Sequence, residues 1–205
     1  MNTPTRPPAR HVPLLVLAVL ATVGTSVLAV VVAGSTDPNA ADTSWMPVAE
    51  VLPFPLALLV DLVGEPIAAP VVLAVVAGVC FRHGGRRAAV LAVVAPSVTV
   101  LSTTALKPLV GRHIHGEHLA FPSGHTAWAV ALAGVLALTL TGRRVTAVFV
   151  GVAIPAALLM GSAQVTLNNH YPTDTVGGFG VALAIVPCVT VLIDKIADRA
   201  AARHA

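Results

Sequence analysis

Two short polar segments combine fixed positive charge with a helix start, a combination suited to binding an anion. Lys107 and Arg112 stand close together in the first segment, and a guanidinium is a good partner for phosphate. In the second segment, Pro122 precedes Ser123 and Gly124. A helix that begins there exposes backbone N–H groups where the helix dipole favours negative charge, and the serine adds a hydroxyl. The two segments therefore form a candidate phosphate site.

A third segment carries a histidine and a carboxylate four residues apart. If a helix begins here, the imidazole of His170 faces Asp174. A carboxylate beside one ring nitrogen fixes the tautomer and leaves the other nitrogen free as a nucleophile. His125, next to the serine–glycine pair, can protonate a leaving oxygen. Together the three segments predict phosphoryl transfer, with one histidine attacking phosphorus and a second acting as the acid.

The rest of the chain is a membrane protein by composition. It has 205 residues, of which 56% are hydrophobic and 10% charged, whereas an average soluble domain carries roughly 25% charged residues. The mean hydropathy is +0.87. These values exclude a water-soluble enzyme or a nucleic-acid binder, and they favour helices that span a bilayer. We predict an all-α, polytopic membrane protein that forms a single domain over residues 1–205.

Six apolar runs predict six transmembrane helices, and the charges predict their orientation. The segment 51–65 is either a short interfacial helix or the outer turns of the second span. Ten of the twelve lysines and arginines fall on the side that holds both termini, including the tails 1–11 and 194–205, so this side is predicted to be cytoplasmic. The three polar segments then meet at the outer face. The six runs are 12–36, 66–81, 88–106, 124–142, 145–167 and 175–193.

At these residues the chain resembles the type-2 phosphatidic acid phosphatase superfamily of lipid phosphate phosphatases. Its three signatures are K-x6-R-P, P-S-G-H and S-R-x5-H-x3-D, and the resemblance covers roughly residues 50–195. It implies hydrolysis through a phosphohistidine without a metal or another cofactor. It implies that His170 is the nucleophile, that Asp174 orients it and that His125 is the general acid. The residues that it implies as phosphate ligands are Lys107, Ser123 and Gly124.

The chain departs from these signatures at two cationic positions. Ile114 stands where the first signature has arginine, and Arg112 precedes it by two residues. Ala163 and Gln164 replace the Ser-Arg pair of the third signature, and a glutamine donates a hydrogen bond without bringing charge. We expect Arg112 and Gln164 to face the phosphate in place of the missing arginines. His113, His115 and His118 are candidates for supplying charge, although a solvated loop is the favoured interpretation of these residues.

The remaining polar residues are assigned structural roles. Asp61 and Glu65 are interpreted as surface groups at a helix end. Cys80 and Cys188 lie in apolar runs and are interpreted as packing residues.

We therefore predict an integral plasma-membrane phosphatase whose active site is extracytoplasmic. Its partners are the bilayer and a lipid substrate of the polyprenyl pyrophosphate, phosphatidic acid or phosphatidylglycerol phosphate type, and no nucleic acid. The alternatives are a phosphotransferase of the same fold and a catalytically weak lipid-phosphate binder or transporter. Homo-oligomerisation is left open.

Overall fold

Helices make up most of the protein. The computed structural model describes residues 11–116, 118–141 and 145–203. A two-stranded antiparallel ribbon, β1 His113–Ile114 and β2 His118–Leu119, follows the helix that ends at Val110, and a short 3-10 turn, Leu62–Gly64, follows the helix that ends at Asp61. The all-α prediction is confirmed. The helices are α1 His11–Val32, α2 Ala40–Ala49, α3 Phe54–Asp61, α4 Ala69–Val110, α5 Gly124–Thr141, α6 Val145–Thr166 and α7 Pro172–Ala202.

The long helix α4 consists of two arms that meet at Gly85. As one straight helix its 42 residues would extend about 63 Å. Gly85 leaves the helical conformation with φ 68° and ψ −165°. Both ends of α4 nevertheless reach the chain that leads into α5: Lys107 donates to the carbonyl of Leu119, and Glu65, which precedes α4, lies beside His125. The helix therefore folds back on itself at Gly85.

Small residues let the helices pack closely beneath the polar segments. Gly178 of α7 lies against the start of α5, where a Cβ atom would come within 2.3 Å of the Ser123 carbonyl oxygen. Gly134 of α5 leaves room for the Phe149 ring of α6, which a Cβ atom would approach to 2.1 Å. Such contacts are typical of helices that associate in a bilayer. The buried core between the helices is formed by small apolar side chains, among them Ala92, Ala95, Val130, Ala131, Val135, Ala153, Ala182 and Val186.

The opposite end of the bundle carries the basic residues that predict the cytoplasmic side. Arg87, just after the fold in α4, pairs with Asp194 of α7 and lies 3.5 Å from Asp198. Nε2 of His11, at the start of α1, is 3.1 Å from Asp194. These contacts join α1, α4 and α7 at the end away from the three polar segments. Four of the arginines used for the orientation lie outside the described residues: Arg6, Arg10, Arg143 and Arg144.

The described helices support a multi-pass membrane protein. Four of them are long and apolar enough to cross a bilayer, and a fifth span results if α2 and α3, which bend by 104°, are counted together. The apolar part of α5, Gly124–Leu140, is shorter. The ambiguous segment 51–65 contains a separate short helix, α3, that is not continuous with α4. The membrane-spanning α-helical class is confirmed, while six spans with cytoplasmic termini stay a prediction.

Candidate active site

The predicted nucleophile and its carboxylate meet where α6 gives way to α7. The backbone N–H groups of Asn169 and His170 donate to the Gln164 carbonyl, and Tyr171 then caps α7 in an extended conformation. This local path places Asp174 in the first turn of α7, and its Oδ2 accepts from the Tyr171 N–H at 2.8 Å. Nδ1 of His170 lies 3.8 Å from the same oxygen. The four-residue spacing thus produces the juxtaposition that the sequence predicts.

Burial sets the protonation state of His170. The residue is 8% exposed, and this burial lowers the pKa of its imidazole. Asp174 acts in the opposite direction, whereas the charges of Lys107 and His125 lower the pKa further. The net effect favours the neutral ring, which is the form that can attack phosphorus.

Lys107 and the start of α5 border this histidine. Nζ of Lys107, in the last turn of α4, donates to the Leu119 carbonyl at 2.8 Å. The backbone N–H of Ser123 donates to the Asp174 carbonyl at 2.9 Å, which ties the start of α5 to the start of α7. The Ser123 hydroxyl is buried and lies 3.1 Å from the hydroxyl of Thr126 in the first turn of α5. Gly124 follows as the first residue of α5. Ser123 and Gly124 therefore lie beside the start of α7, and Lys107 is near enough for its charge to act on His170.

Arg112 lies behind Asp174 in a buried network. Its Nη1 donates to Asp174 Oδ1 at 2.9 Å and to the Thr173 hydroxyl at 2.5 Å, and its Nη2 donates to Asp42 Oδ2 at 2.5 Å. The guanidinium also lies 4.7 Å from the centre of the Tyr171 ring. The side chain is fully buried. Both terminal nitrogens are therefore bonded to protein oxygens, an arrangement that holds the carboxylate of Asp174 in place.

Sequence reasoning missed Asp42, because its contact with the site is made across a long sequence separation. Asn39 and Asp42 form a capping box at the start of α2, with reciprocal hydrogen bonds of 2.9 and 3.1 Å. The same carboxylate also accepts from the Thr173 N–H at 2.9 Å, 131 residues further along the chain. A cap signature gives no hint of this second, long-range role.

The predicted general acid lies among carboxylates that the sequence did not place in the site. His125 Nε2 is 3.6 Å from Asp61 Oδ1 and 3.6 Å from Glu65 Oε1. Gln164 donates from Nε2 to Asp61 Oδ1 at 2.5 Å. The interpretation as a surface group is wrong for Asp61, which is 9% exposed, whereas the Glu65 side chain is 45% exposed and lies at the surface beside the histidine.

The sharp bend between α2 and α3 explains this placement. The 3-10 turn after α3 docks on α5, where Trp128 Nε1 donates to the Val63 carbonyl at 3.2 Å. Gly64 lies so close to His125 that a Cβ atom would come within 2.3 Å of its ring. The docked turn brings the acidic residues on either side of it to the histidine, a tertiary effect that has no local signature.

The three histidines considered as sources of charge lie in or beside the ribbon between α4 and α5. His113 and His118 belong to its two strands, and Nε2 of His115 lies 2.8 Å from the Asn168 carbonyl oxygen. The proposal that they supply charge to the phosphate stays a prediction.

Comparisons with known proteins agree with the helical membrane fold. A family model described as PAP2 superfamily matches residues 10–197. No curated protein matches the chain. A crystal structure of "the first transmembrane PAP2 type phosphatidylglycerolphosphate phosphatase from Bacillus subtilis" is similar, with a TM-score of 0.67 and 19% identity over 89% of this chain and 96% of that chain. At this identity the similarity shows a shared fold.

Proposed function

The chain belongs to the PAP2 superfamily, and on this premise we propose that it is an integral membrane phosphatase. It hydrolyses a lipid-linked phosphate or pyrophosphate through a phosphohistidine. One observation carries the proposal: a buried His170 beside Asp174, with Lys107 and His125 near enough for their charges to lower its pKa. This arrangement joins nucleophile, orienting carboxylate, cation and acid at one end of a helical membrane protein.

The proposed reaction has two steps. Nε2 of His170 attacks phosphorus and forms an N–P bond while the bond from phosphorus to the leaving oxygen breaks, and His125 gives that oxygen a proton. Water then attacks the phosphohistidine, returns a proton to His125 and releases inorganic phosphate. Lys107, the Ser123 hydroxyl and the N–H of Gly124 hold the phosphoryl oxygens. Asp174 stabilises the positive charge that develops on the His170 ring when it attacks.

Two features support a lipid substrate. A cavity of about 200 Å³ between α1, α4 and α7 leads from apolar residues such as Ala29 and Val181 towards Val110 and Phe121, next to the polar segments. An acyl or prenyl tail fits this lining. The similar crystal structure is named for phosphatidylglycerophosphate, and we propose that lipid, phosphatidic acid and polyprenyl pyrophosphate as the substrates to test first.

The break at Gly85, where α4 turns back on itself, supports the proposed six-span topology. If the two arms on either side of Gly85 are counted separately, then α1, both arms, α5, α6 and α7 give six segments. These segments correspond to the six predicted apolar runs. The basic residues at the Arg87 end then face the cytoplasm and the active site faces outward.

Phosphate release from the lipid panel tests the proposal. Detergent-purified protein is assayed beside His170→Ala and beside His83→Ala, a matched control that removes an exposed histidine at the opposite end of the bundle. We expect release that His170→Ala abolishes and His83→Ala preserves. Equal release by the wild-type and His170→Ala proteins would contradict the phosphohistidine mechanism. Release that requires an added acceptor would identify the phosphotransferase.

A non-hydrolytic lipid-phosphate binder is the second candidate. It is favoured by Ala163 and Gln164, which replace the Ser-Arg pair of the family signature and remove a cationic contact that would stabilise the transition state. Binding of the phosphorylated lipids without release by a folded protein would support it.

A further inference from the structure

The imidazole of His125 has a buried nitrogen whose role the proposed reaction leaves unexplained. Nε2 is shielded from solvent and has no hydrogen-bond partner among the described residues. The side chain as a whole is 27% exposed, so the open part of the ring lies elsewhere than at Nε2. A histidine that transfers a proton uses one ring nitrogen for the transfer, and a neighbouring group holds the other. Nε2 is therefore the nitrogen to be held, and Nδ1 is left for the proton.

Two carboxylates could hold Nε2, and distance alone does not separate them. Asp61 Oδ1 and Glu65 Oε1 both lie 3.6 Å from this nitrogen. The separation is longer than a hydrogen bond, but catalytic contacts of this kind are often long until the substrate binds. The choice between the two carboxylates therefore depends on how firmly each is fixed and how far it is screened by solvent.

Asp61 is the carboxylate that the protein fixes. It is buried, and its Oδ1 accepts from Nε2 of the fully buried Gln164 at 2.5 Å. The Glu65 side chain is 45% exposed, so solvent screens its charge. A charge in the interior acts through a lower dielectric and is felt more strongly by its neighbours. Asp61 thus presents a fixed and weakly screened acceptor to the histidine.

The turn that follows Asp61 fixes the same edge of the ring. A Cβ atom on Gly64 would come within 2.3 Å of Cδ2 of His125, the carbon bonded to Nε2. The turn is itself held on α5, because Trp128 Nε1 donates to the Val63 carbonyl at 3.2 Å. The Cδ2–Nε2 edge therefore faces α3 and its turn, and the edge that carries Nδ1 lies on the opposite side of the ring.

We propose that Asp61 is the positioning residue for the general acid: it accepts the N–H of His125 Nε2, and the amide of Gln164 holds it in place. The inference rests on the proposed function for the reaction that it serves. As the bond from phosphorus to the leaving oxygen breaks, Nδ1 of the doubly protonated ring gives that oxygen its proton, and the ring keeps its hydrogen on Nε2. In the second step Nδ1 takes a proton from the attacking water. Gln164, which replaces the arginine of the family signature, then acts through Asp61 instead of contacting the phosphate.

The tautomer of His125 tests this assignment without catalysis. Full-length protein labelled with ¹⁵N in its histidines is studied in detergent by NMR at about pH 9, where an ordinary imidazole is neutral, and His125→Gln identifies the signal. We expect the wild-type ring to carry its hydrogen on Nε2, and Asp61→Asn, which keeps an acceptor for Gln164, to give a mixture of both tautomers. The matched variant Glu65→Gln removes a carboxylate at the same distance and should keep the wild-type tautomer. The same tautomer in the wild type and Asp61→Asn, or a larger change in Glu65→Gln, would overturn the proposal.

A comparison of leaving groups tests the consequence for catalysis. The leaving oxygen of an alkyl phosphate needs a proton, whereas a nitrophenyl phosphate with the same alkyl tail departs as a stable phenolate without one. We expect Asp61→Asn to lower kcat/KM by about 10²-fold for the alkyl phosphate and by less than about 3-fold for the nitrophenyl phosphate. Asp198→Asn, which removes an exposed carboxylate at the Arg87 end, should change neither value. Equal losses for both substrates in Asp61→Asn would indicate a merely structural role and overturn the proposal.

The two experiments separate this inference from the proposed function. A tautomer that depends on Asp61, in a protein that releases phosphate from none of the substrates, would uphold the contact with His125 and overturn the phosphatase. Phosphate release that His170→Ala abolishes, with a tautomer indifferent to Asp61, would uphold the phosphatase and overturn the role of Asp61.

Discussion

The buried side chain of Arg112 supports the site by pairing with the carboxylate of Asp174. Its guanidinium lies between the carboxylates of Asp42 and Asp174, and all three side chains are fully buried. A buried ion pair contributes little net stability while intact, but removal of one partner leaves an uncompensated charge. Arg112 thus fixes the position of the carboxylate on which His170 depends.

We expect Arg112→Ala to lower the free energy of unfolding by about 3–5 kcal/mol, because it leaves two carboxylates unpaired in the interior. Thermal unfolding in detergent measures this loss. The control is Arg199→Ala, an exposed residue of α7, with an expected change within about 0.5 kcal/mol. Unchanged stability with a raised KM would instead indicate that Arg112 contacts the phosphate.

The pH dependence of activity reports on His170. Burial lowers its pKa, so the neutral nucleophile persists below the ordinary imidazole value of about 6.5 and is lost as the pH falls through the lowered pKa. Asp174→Asn removes a charge that raises this pKa, so the acidic limb of kcat/KM moves to lower pH while the rate drops about 10²–10⁴-fold. Lys107→Met removes a charge that lowers it, and the limb should move to higher pH. Shifts in the same direction for both variants would contradict this electrostatic picture.

At the scale of elements, the sequence predicts the features that depend on local geometry, and it does not predict those that depend on long-range contacts. The pairing of His170 with Asp174 follows from one helix start, and the helical runs follow from hydropathy. The placement of Asp61 and Glu65 depends on a 104° bend and on the docking of a turn against α5, neither of which has a local signature. The fold in α4 was predictable as a glycine-containing turn, because arginines interrupt the apolar run there.

Gly85 is the residue that the turn within α4 requires. Its φ of 68° with ψ of −165° lies in a region populated almost entirely by glycine. We expect Gly85→Ala to lower the free energy of unfolding by about 1–3 kcal/mol. Gly78→Ala, in the same helix with open space around the new Cβ atom, should leave stability unchanged or raise it by up to about 1 kcal/mol. Equal stability of the two variants in chemical denaturation would mean that the turn tolerates a side chain.

At the scale of the whole molecule, the two ends of the bundle differ in their chemistry. One end holds the proposed nucleophile, the proposed acid and the carboxylates of Asp61 and Glu65, and the other joins α1, α4 and α7 through Arg87 and Asp194. The apolar flanks between them are exposed, for example Leu20 at 65% and Val75 at 61%. This polarity is the basis for the proposed orientation across the membrane.

Cysteine labelling on intact cells checks that orientation. In a background that lacks Cys80 and Cys188, we expect Glu50→Cys at the active-site end to react with an impermeant maleimide. Lys195→Cys, at the Arg87 end, should react after the membrane is permeabilised. The reverse pattern would place the active site on the cytoplasmic side.

The buried network of Arg112 also has a consequence for biosynthesis. Asp42 and Arg112 are separated by 70 residues, and Asp174 follows Arg112 by 62. The three charged residues are therefore synthesised one after another, with long segments of chain between them. The early aspartate can neutralise the arginine as soon as α4 has folded back. The last carboxylate, Asp174, is synthesised with α7, just after His170. Under the proposed mechanism the chain therefore becomes competent for catalysis only late in synthesis, after most of the protein has entered the bilayer.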